Sequence, residues 1–93
     1  MSKKKGAYWE LKAQHQLEAD GYYVTKAGGS LGVFDLVAVN QTHTRLIQVK
    51  GGKRPWCSPE ERAAIAAVRV HPWCIKEIWY MKLRTPVKIV RAP

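Results

Sequence analysis

Three polar residues lie in two apolar runs of the sequence, at spacings that can bring them together. Asp35 belongs to the run from Val33 to Val39, and Gln48 and Lys50 belong to the run from Leu46 to Lys50. Side chains of a strand alternate between its two faces, so Gln48 and Lys50 share one face. A short turn between the runs places Asp35 opposite or beside Gln48, where paired Cβ atoms lie about 4.5–5.5 Å apart. A carboxylate, an amide oxygen and an ammonium group would then converge on one cation-holding pocket.

The apolar neighbours of these residues make the pattern unusual. Asp35 follows Phe34 and precedes Leu36, and Lys50 follows Val49. A charge buried in such a strand costs free energy unless it is paired or bound to something. One explanation is a buried Asp35–Lys50 ion pair, or two charges at strand ends that reach solvent. The other is a functional site, because local departures from the packing pattern tend to occur at such sites.

Hydrophobic periodicity and turn residues predict seven elements that would position this set. They are a helix over residues 6–20, strands over 22–25, 33–39 and 46–50, a helix after residue 58, and strands over 76–84 and 87–90. Ser58, Pro59 and Glu61 form the pattern of a capped helix start. The order α-β-β-β-α-β-β predicts an α/β fold with a mixed five-stranded sheet flanked by helices. We expect a single domain over residues 1–93, with a basic amino-terminal arm over residues 1–5.

Charge and length restrict the classes of function. Sixteen Lys and Arg against seven Asp and Glu give a net charge of +9, which indicates a polyanionic partner such as a nucleic acid. Apolar runs are too short for a transmembrane helix, so we expect no membrane partner. No apolar segment follows Lys3, Lys4 and Lys5, so we expect an intracellular, cytoplasmic protein. Cys57 and Cys74 are expected to be free thiols, although one disulfide is geometrically possible.

The ordered set of motifs resembles a known family. Glu10 in the first helix, Gly29-Ser30-x-Gly32-x-x-Asp35, and Gln48-Val49-Lys50 resemble the PD-(D/E)XK nuclease superfamily, and most closely the small archaeal and phage Holliday-junction resolvases. The resemblance implies a restriction-endonuclease-like core and a homodimer. It also implies a Mg²⁺-dependent, structure-specific endodeoxyribonuclease, with Mn²⁺ as a substitute metal, that hydrolyses phosphodiesters of branched DNA. A phage origin would suit so short a chain.

The resemblance also implies roles for single residues. Asp35, Gln48, Glu10 and the backbone carbonyl of Val49 would hold the metal, while Lys50 would orient the attacking water and stabilise charge on the phosphate. Position 48 is normally Glu in the motif, so Gln48 puts the metal affinity in doubt, although an amide oxygen can still bind Mg²⁺. Without Asp35 and Lys50, Glu10 would be better explained as a solvated helix carboxylate.

Basic and aromatic residues near these motifs are the candidate DNA contacts. Ser30 would touch phosphate, although it is equally well explained as a turn hydroxyl. Trp56 would stack on a base or wedge a junction, although a Trp in such a loop more often covers the core or a dimer contact. The full set of candidate DNA-binding residues is Lys3, Lys4, Lys5, Lys26, Ser30, Lys53, Arg54 and Trp56.

Two further functions stay open at this point. One is a nuclease of the same chemistry that prefers flaps, nicks or linear duplex. The other is a DNA-binding module that does not cleave, in which Gln48 reflects lost metal binding.

Overall fold

The computed structural model describes residues 2–27 and 32–93, with side chains from residue 6 onward. The elements are α1 (Ser2–Ala19), β1 (Tyr23–Lys26), β2 (Leu36–Val39), β3 (Thr44–Gly51), α2 (Pro59–Ala67), β4 (Cys74–Met81) and β5 (Lys88–Arg91). The strands form one sheet in the order β1-β2-β3-β4-β5. Only β3 and β4 are parallel, and α2 lies in the long crossover that a parallel pair requires. The predicted α/β fold, with its mixed five-stranded sheet and helices, is confirmed.

Three boundaries differ from those predicted by three residues or more, and one of them is the end of β4, which lies at Met81 instead of residue 84. Helix α1 begins at Ser2, so the backbone of Lys3, Lys4 and Lys5 is helical and does not form a separate arm. Lysine is a good helix former, and no proline or capping residue forces a start near residue 6. Strand β2 begins at Leu36, three residues later than predicted. Gly29 and Ser30 of the motif that precedes Asp35 lie in residues 28–31, outside the described residues.

Helix α1 covers one face of the sheet, which we call the first face. Trp9, Ala13 and Leu17 recur every four residues along one side of the helix, and all three are buried. They pack against a cluster on the sheet that includes Ile47 and Trp79. These side chains of α1 therefore form a core with the first face of the sheet.

The opposite, second face packs against α2 and the segment that leads into it. Its buried cluster consists of Phe34, Leu46, Cys57, Ile65 and Ile78. The predicted helix start is confirmed, because the Ser58 hydroxyl accepts from Glu61 N and the Glu61 carboxylate accepts from Ser58 N. Burying these apolar side chains against the sheet stabilises a helix of only nine residues, which would be marginal alone.

The buried side chain of Lys76, in β4, caps the carboxyl end of α2. Lys76 Nζ donates to the carbonyls of Ile65, Ala66 and Val68 at 2.8, 3.2 and 2.7 Å. These carbonyls belong to the last turn, where a cation also faces the negative end of the helix dipole. The lysine thereby fixes α2 to β4. Cys57 and Cys74 are free, as expected.

Neither helix of the described ranges is long and apolar enough to cross a membrane.

Candidate active site

Asp35 lies immediately before β2. It makes two hydrogen bonds to β3, one with the residue before Gln48 and one with the residue after it. Its backbone N–H donates to the carbonyl of Ile47 at 2.8 Å, and its carboxylate Oδ2 accepts from Val49 N at 2.8 Å. The Asp35 carboxylate therefore accepts the Val49 N–H, which a backbone carbonyl would accept in a regular pair of strands. This explains why the regular strand is shorter than predicted.

The same bond orients the carbonyl of Val49. The N–H and C=O of a strand residue point toward the same neighbouring strand. Because Val49 N–H points to Asp35, the Val49 carbonyl faces the Asp35 side of β3. The resemblance implies that this carbonyl is an oxygen donor to a metal, and this role stays a prediction.

Gln48 and Lys50 lie on the second face of β3, with the buried Leu46 of the same alternation. Gln48 is 9% exposed, and its amide makes no hydrogen bond with the described residues. No fully buried side-chain nitrogen or oxygen lacks a partner in this part of the chain. By the register of β2 and β3, in which Leu36 pairs with Ile47, Gln48 lies across from Asp35.

Lys50 is paired with a residue that the sequence did not indicate. Its Nζ donates to Glu61 Oε2 at 2.5 Å, while Oε1 of the same carboxylate accepts from the N–H and the hydroxyl of Ser58. The hydrogen bond from Lys50 is the main cause that lowers the pKa of Glu61. The alternative of an Asp35–Lys50 ion pair is therefore wrong, and Lys50 is fixed to the cap of α2 instead.

Glu10 and Asp35 both have a raised pKa, and the charge of Asp35 contributes to the shift at Glu10. Burial raises the pKa of Asp35, and this effect exceeds the opposing effects of the Val49 hydrogen bond and the Lys50 charge. Burial and then the charge of Asp35 raise the pKa of Glu10, while Lys26 opposes them. Two carboxylates that resist ionisation next to each other are stabilised in their charged form by a cation.

The donors of this site fit a magnesium ion. They are one carboxylate oxygen of Asp35 left free by Val49, the Gln48 amide, the Val49 carbonyl and the nearby Glu10, and Mg²⁺ prefers such oxygen ligands. Among residues 2–27 and 32–93, no three His, Cys, Asp or Glu side chains are grouped closely enough to hold a metal. Position 48, where the motif normally has a third carboxylate, carries an amide in this chain.

Gly51 positions the helix that carries Glu10. The indole of Trp9 lies directly on Gly51, in the space that a Cβ would occupy. This contact fixes α1 to the end of β3, one residue after Lys50, and so sets where Glu10 lies. A glycine after a strand is typical of a loop, and only knowledge of the facing Trp9 could have revealed the role of Gly51.

The candidate DNA contacts are placed as follows. Lys26 ends β1 and its charge acts on Glu10, so it lies near the acids. Lys53, Arg54 and Trp56 are exposed in the segment after β3. Ser30 lies outside the described residues, and the side chains of Lys3, Lys4 and Lys5 are also not described.

Comparison with known proteins decides the fold. No family model matches the sequence, and no curated protein matches it. Among solved structures, the chain superposes on Hjc from Archaeoglobus fulgidus, a Holliday junction resolvase from an archaeal hyperthermophile, with a TM-score of 0.80. The chain has the fold of Hjc. The sequences are 19% identical, and the superposition covers 94% of this chain and 72% of Hjc. The resemblance inferred from the motifs is confirmed at the level of the Hjc fold.

Proposed function

We propose that this chain is a metal-dependent, structure-specific endodeoxyribonuclease that hydrolyses phosphodiesters of branched DNA. One observation carries the proposal. Asp35 accepts a hydrogen bond from Val49, the residue between Gln48 and Lys50 on β3, and its charge acts on Glu10 of α1, in a chain that superposes on a Holliday junction resolvase. A net charge of +9 supports a DNA partner.

Each residue of the site has a part in this reaction. Asp35, Gln48, the Val49 carbonyl and Glu10 would hold Mg²⁺, which when bound activates water and stabilises charge on the phosphate oxygens. The Lys50 ammonium, fixed by Glu61, neutralises charge that develops on the scissile phosphate. The hydrogen bond from Val49 keeps the Asp35 carboxylate in one orientation before the substrate arrives.

The preference for branched DNA and the homodimer belong to the same proposal. The structural neighbour Hjc is a Holliday junction resolvase. A four-way junction is itself nearly two-fold, and a two-fold dimer would present one site to each of two symmetric strands. A preference for flaps, nicks or duplex would keep the same chemistry with a different substrate.

A second candidate function is a DNA-binding module that does not cleave. Gln48 favours it, because the neutral amide leaves the site one carboxylate short of a three-acid cluster within the described residues. Its surface would still bind DNA through its positive charge.

A cleavage assay separates these functions. The chain is incubated with Mg²⁺ and with labelled four-way junctions, flaps, nicked duplex and linear duplex of the same sequence. We expect cleavage of the junction above the others, and loss of cleavage in EDTA. In Asp35→Ala, junction binding should persist while the rate falls by about 10³-fold or more, because the loss of metal and its transition-state contacts removes several kcal/mol.

Glu60→Ala is the control for Asp35→Ala. Glu60→Ala removes an exposed carboxylate from the first turn of α2 without touching the site, and it should cleave like the wild type. Binding without cleavage of any substrate would favour the non-cleaving module. Full activity of Asp35→Ala would remove Asp35 from the mechanism.

A further inference from the structure

The second face of the sheet is only half covered, and the uncovered half forms a groove. Helix α2 packs over β3 and part of β4, whereas every residue of β5 is exposed. The resulting groove has a volume of about 650 Å³ and lies between the segment after β3 on one side and the β4–β5 connection on the other. Its floor includes Tyr80 and the paired Lys88.

The lining of this groove is strongly basic. No acidic residue lines it, and its cations come from three separate parts of the fold. They are Lys53 and Arg54 after β3, Arg62 in α2, and Lys82 and Lys88 around the β4–β5 connection. Cations from distant parts of a chain, gathered without counter-charges, repel one another unless a polyanion lies between them.

The groove begins at the candidate active site. Tyr80 in its floor pairs with Lys50 in the register of β3 and β4, and Arg62 in its wall follows Glu61. The pKa of Tyr80 is raised chiefly by burial, and the charges of Lys50 and Arg62 act on the same hydroxyl. A phosphate backbone that passes Lys50 can therefore continue directly into the groove.

One wall of the groove carries an exposed aromatic ring. Trp56 is 66% exposed, although it follows a proline in a short segment whose neighbour Cys57 is fully buried. The ring therefore does not cover the core, which was the first of the two alternatives for this residue; the second was a dimer contact. Indole rings stack on the faces of bases, and a base must be unpaired or unstacked to offer its face.

We propose that this groove binds a strand of DNA with unpaired bases that leads away from the scissile phosphate, with Trp56 as the stacking surface. The inference rests on the proposed function and deepens it, because it selects DNA that is single-stranded or opened next to the cut. It also adds Arg62, Lys82 and Lys88 to the DNA-binding residues that the sequence indicated.

Equilibrium binding tests the groove without requiring cleavage. Fluorescence anisotropy is measured in EDTA with a labelled single strand, a duplex, and a duplex with an unpaired segment, over a series of salt concentrations. Arg62→Ala, Lys82→Ala and Lys88→Ala should each weaken binding and reduce the slope of log K against log salt by roughly 0.7 to 1. Arg69→Ala, an exposed cation outside the groove, should leave the slope unchanged.

Two exposed tryptophans provide a matched test of stacking. Trp56→Ala should weaken binding of the single strand and of the opened duplex by roughly 5- to 150-fold, the range for loss of one base–aromatic stack. Trp73 is equally exposed at 67% but stacks on His71 outside the groove, so Trp73→Ala should bind normally. Equal losses on paired duplex and single strand in Trp56→Ala would overturn the stacking role.

The outcomes distinguish this inference from the proposed function. Reduced salt slopes in the groove variants of a chain that never cleaves would support the groove and contradict the nuclease. Cleavage with unchanged slopes in all three cation variants would overturn the groove and leave the nuclease standing. If the variants instead dissociate a dimer in sedimentation and bind DNA normally, a second copy of the chain occupies the groove and the inference is wrong.

Discussion

Two polar clusters lie along β3, and they differ in how completely their groups are paired. Near the start of the strand, Arg45 donates to Glu77 Oε1 through Nε at 3.0 Å and Nη2 at 2.7 Å. Trp79 Nε1 donates to the same oxygen at 3.0 Å. Near the end of the strand, Lys50 is paired with Glu61, but Asp35 has no cationic partner in direct contact among the described residues.

The pKa shifts follow the same division. Burial lowers the pKa of Arg45, but the hydrogen bond and charge of Glu77 outweigh it, so the net shift is upward and favours the charged form. At the other cluster, burial raises the pKa of Asp35 in spite of Val49 and Lys50, so the charged form is disfavoured. The first cluster is satisfied within the fold. The second retains a charge that the fold alone does not compensate, as expected of a site that awaits a ligand.

Removing Glu77 should have the largest effect on stability and the least on the reaction. Glu77→Ala leaves the half-buried guanidinium of Arg45 without its counter-charge, which costs about 3 kcal/mol, the lower end of the range for buried ion pairs. We expect this loss in the free energy of unfolding, measured with urea, while the rate per folded molecule is unchanged. The double variant Arg45→Met with Glu77→Leu should recover most of the loss, because a well-packed apolar pair replaces the ion pair. A loss below about 1 kcal/mol would mean that solvent screens the pair.

A methyl group at Gly51 should affect both stability and cleavage. Gly51→Ala places its Cβ inside the Trp9 indole, and overpacking of this kind costs about 1–3 kcal/mol. Because Trp9 adjoins Glu10, we also expect slower cleavage per folded molecule. The control is Gly6→Ala, which meets no neighbouring atom within a helix and should stabilise the chain by about 0.5–1 kcal/mol. Wild-type cleavage by a destabilised Gly51→Ala would show that the contact positions nothing at the site.

Sequence patterns predicted those features of the site that depend on local structure. Alternation placed Gln48 and Lys50 on one face, and the capping pattern at Ser58 and Glu61 is confirmed atom by atom. The pairing of Lys50 with Glu61 was not predicted, because it depends on how α2 packs over the sheet. The hydrophobic periodicity of β3 or of α2 alone does not indicate how the two elements pack against each other.

The contact between Trp9 and Gly51 was missed for a similar reason. A glycine after a strand is typical of a loop. That Gly51 is needed to let the Trp9 indole approach the backbone is evident only once the facing side chain is known. The late start of β2 has a different cause. The Asp35 side chain competes with the backbone for the Val49 N–H, a local bond that propensity does not count. The strand boundary beside Asp35 was therefore missed because of a side-chain hydrogen bond that propensity does not include.

Glu61→Gln separates the helix cap from the charge on Lys50. Gln also completes a capping box, so the change in unfolding free energy should stay below about 1 kcal/mol. Lys50 loses its ionic partner, and we expect the cleavage rate to fall roughly 10- to 100-fold, as is typical when a residue that orients a catalytic group is removed. Glu60→Gln, one residue away and exposed, should change neither quantity. A normal rate in Glu61→Gln would mean that Lys50 needs no such partner.

The smallest effect concerns how stability changes with pH at Asp35. Because the pKa of Asp35 is raised in the fold, the native state binds more protons than the unfolded state above the ordinary carboxyl value of about 3.9. Stability from the protonated group is present below that value and is lost as pH rises through the folded pKa. Asp35→Asn cannot ionise and keeps an oxygen that can accept from Val49 N.

In EDTA we therefore expect Asp35→Asn to be the more stable protein at neutral pH, with an advantage that shrinks as pH falls through this range. Urea unfolding at a series of pH values measures the difference. An advantage that instead grows toward acid pH would mean that Val49 and Lys50 outweigh burial at Asp35. In that case the carboxylate would be a satisfied structural group like Glu77, and the contrast between the two ends of β3 would not hold.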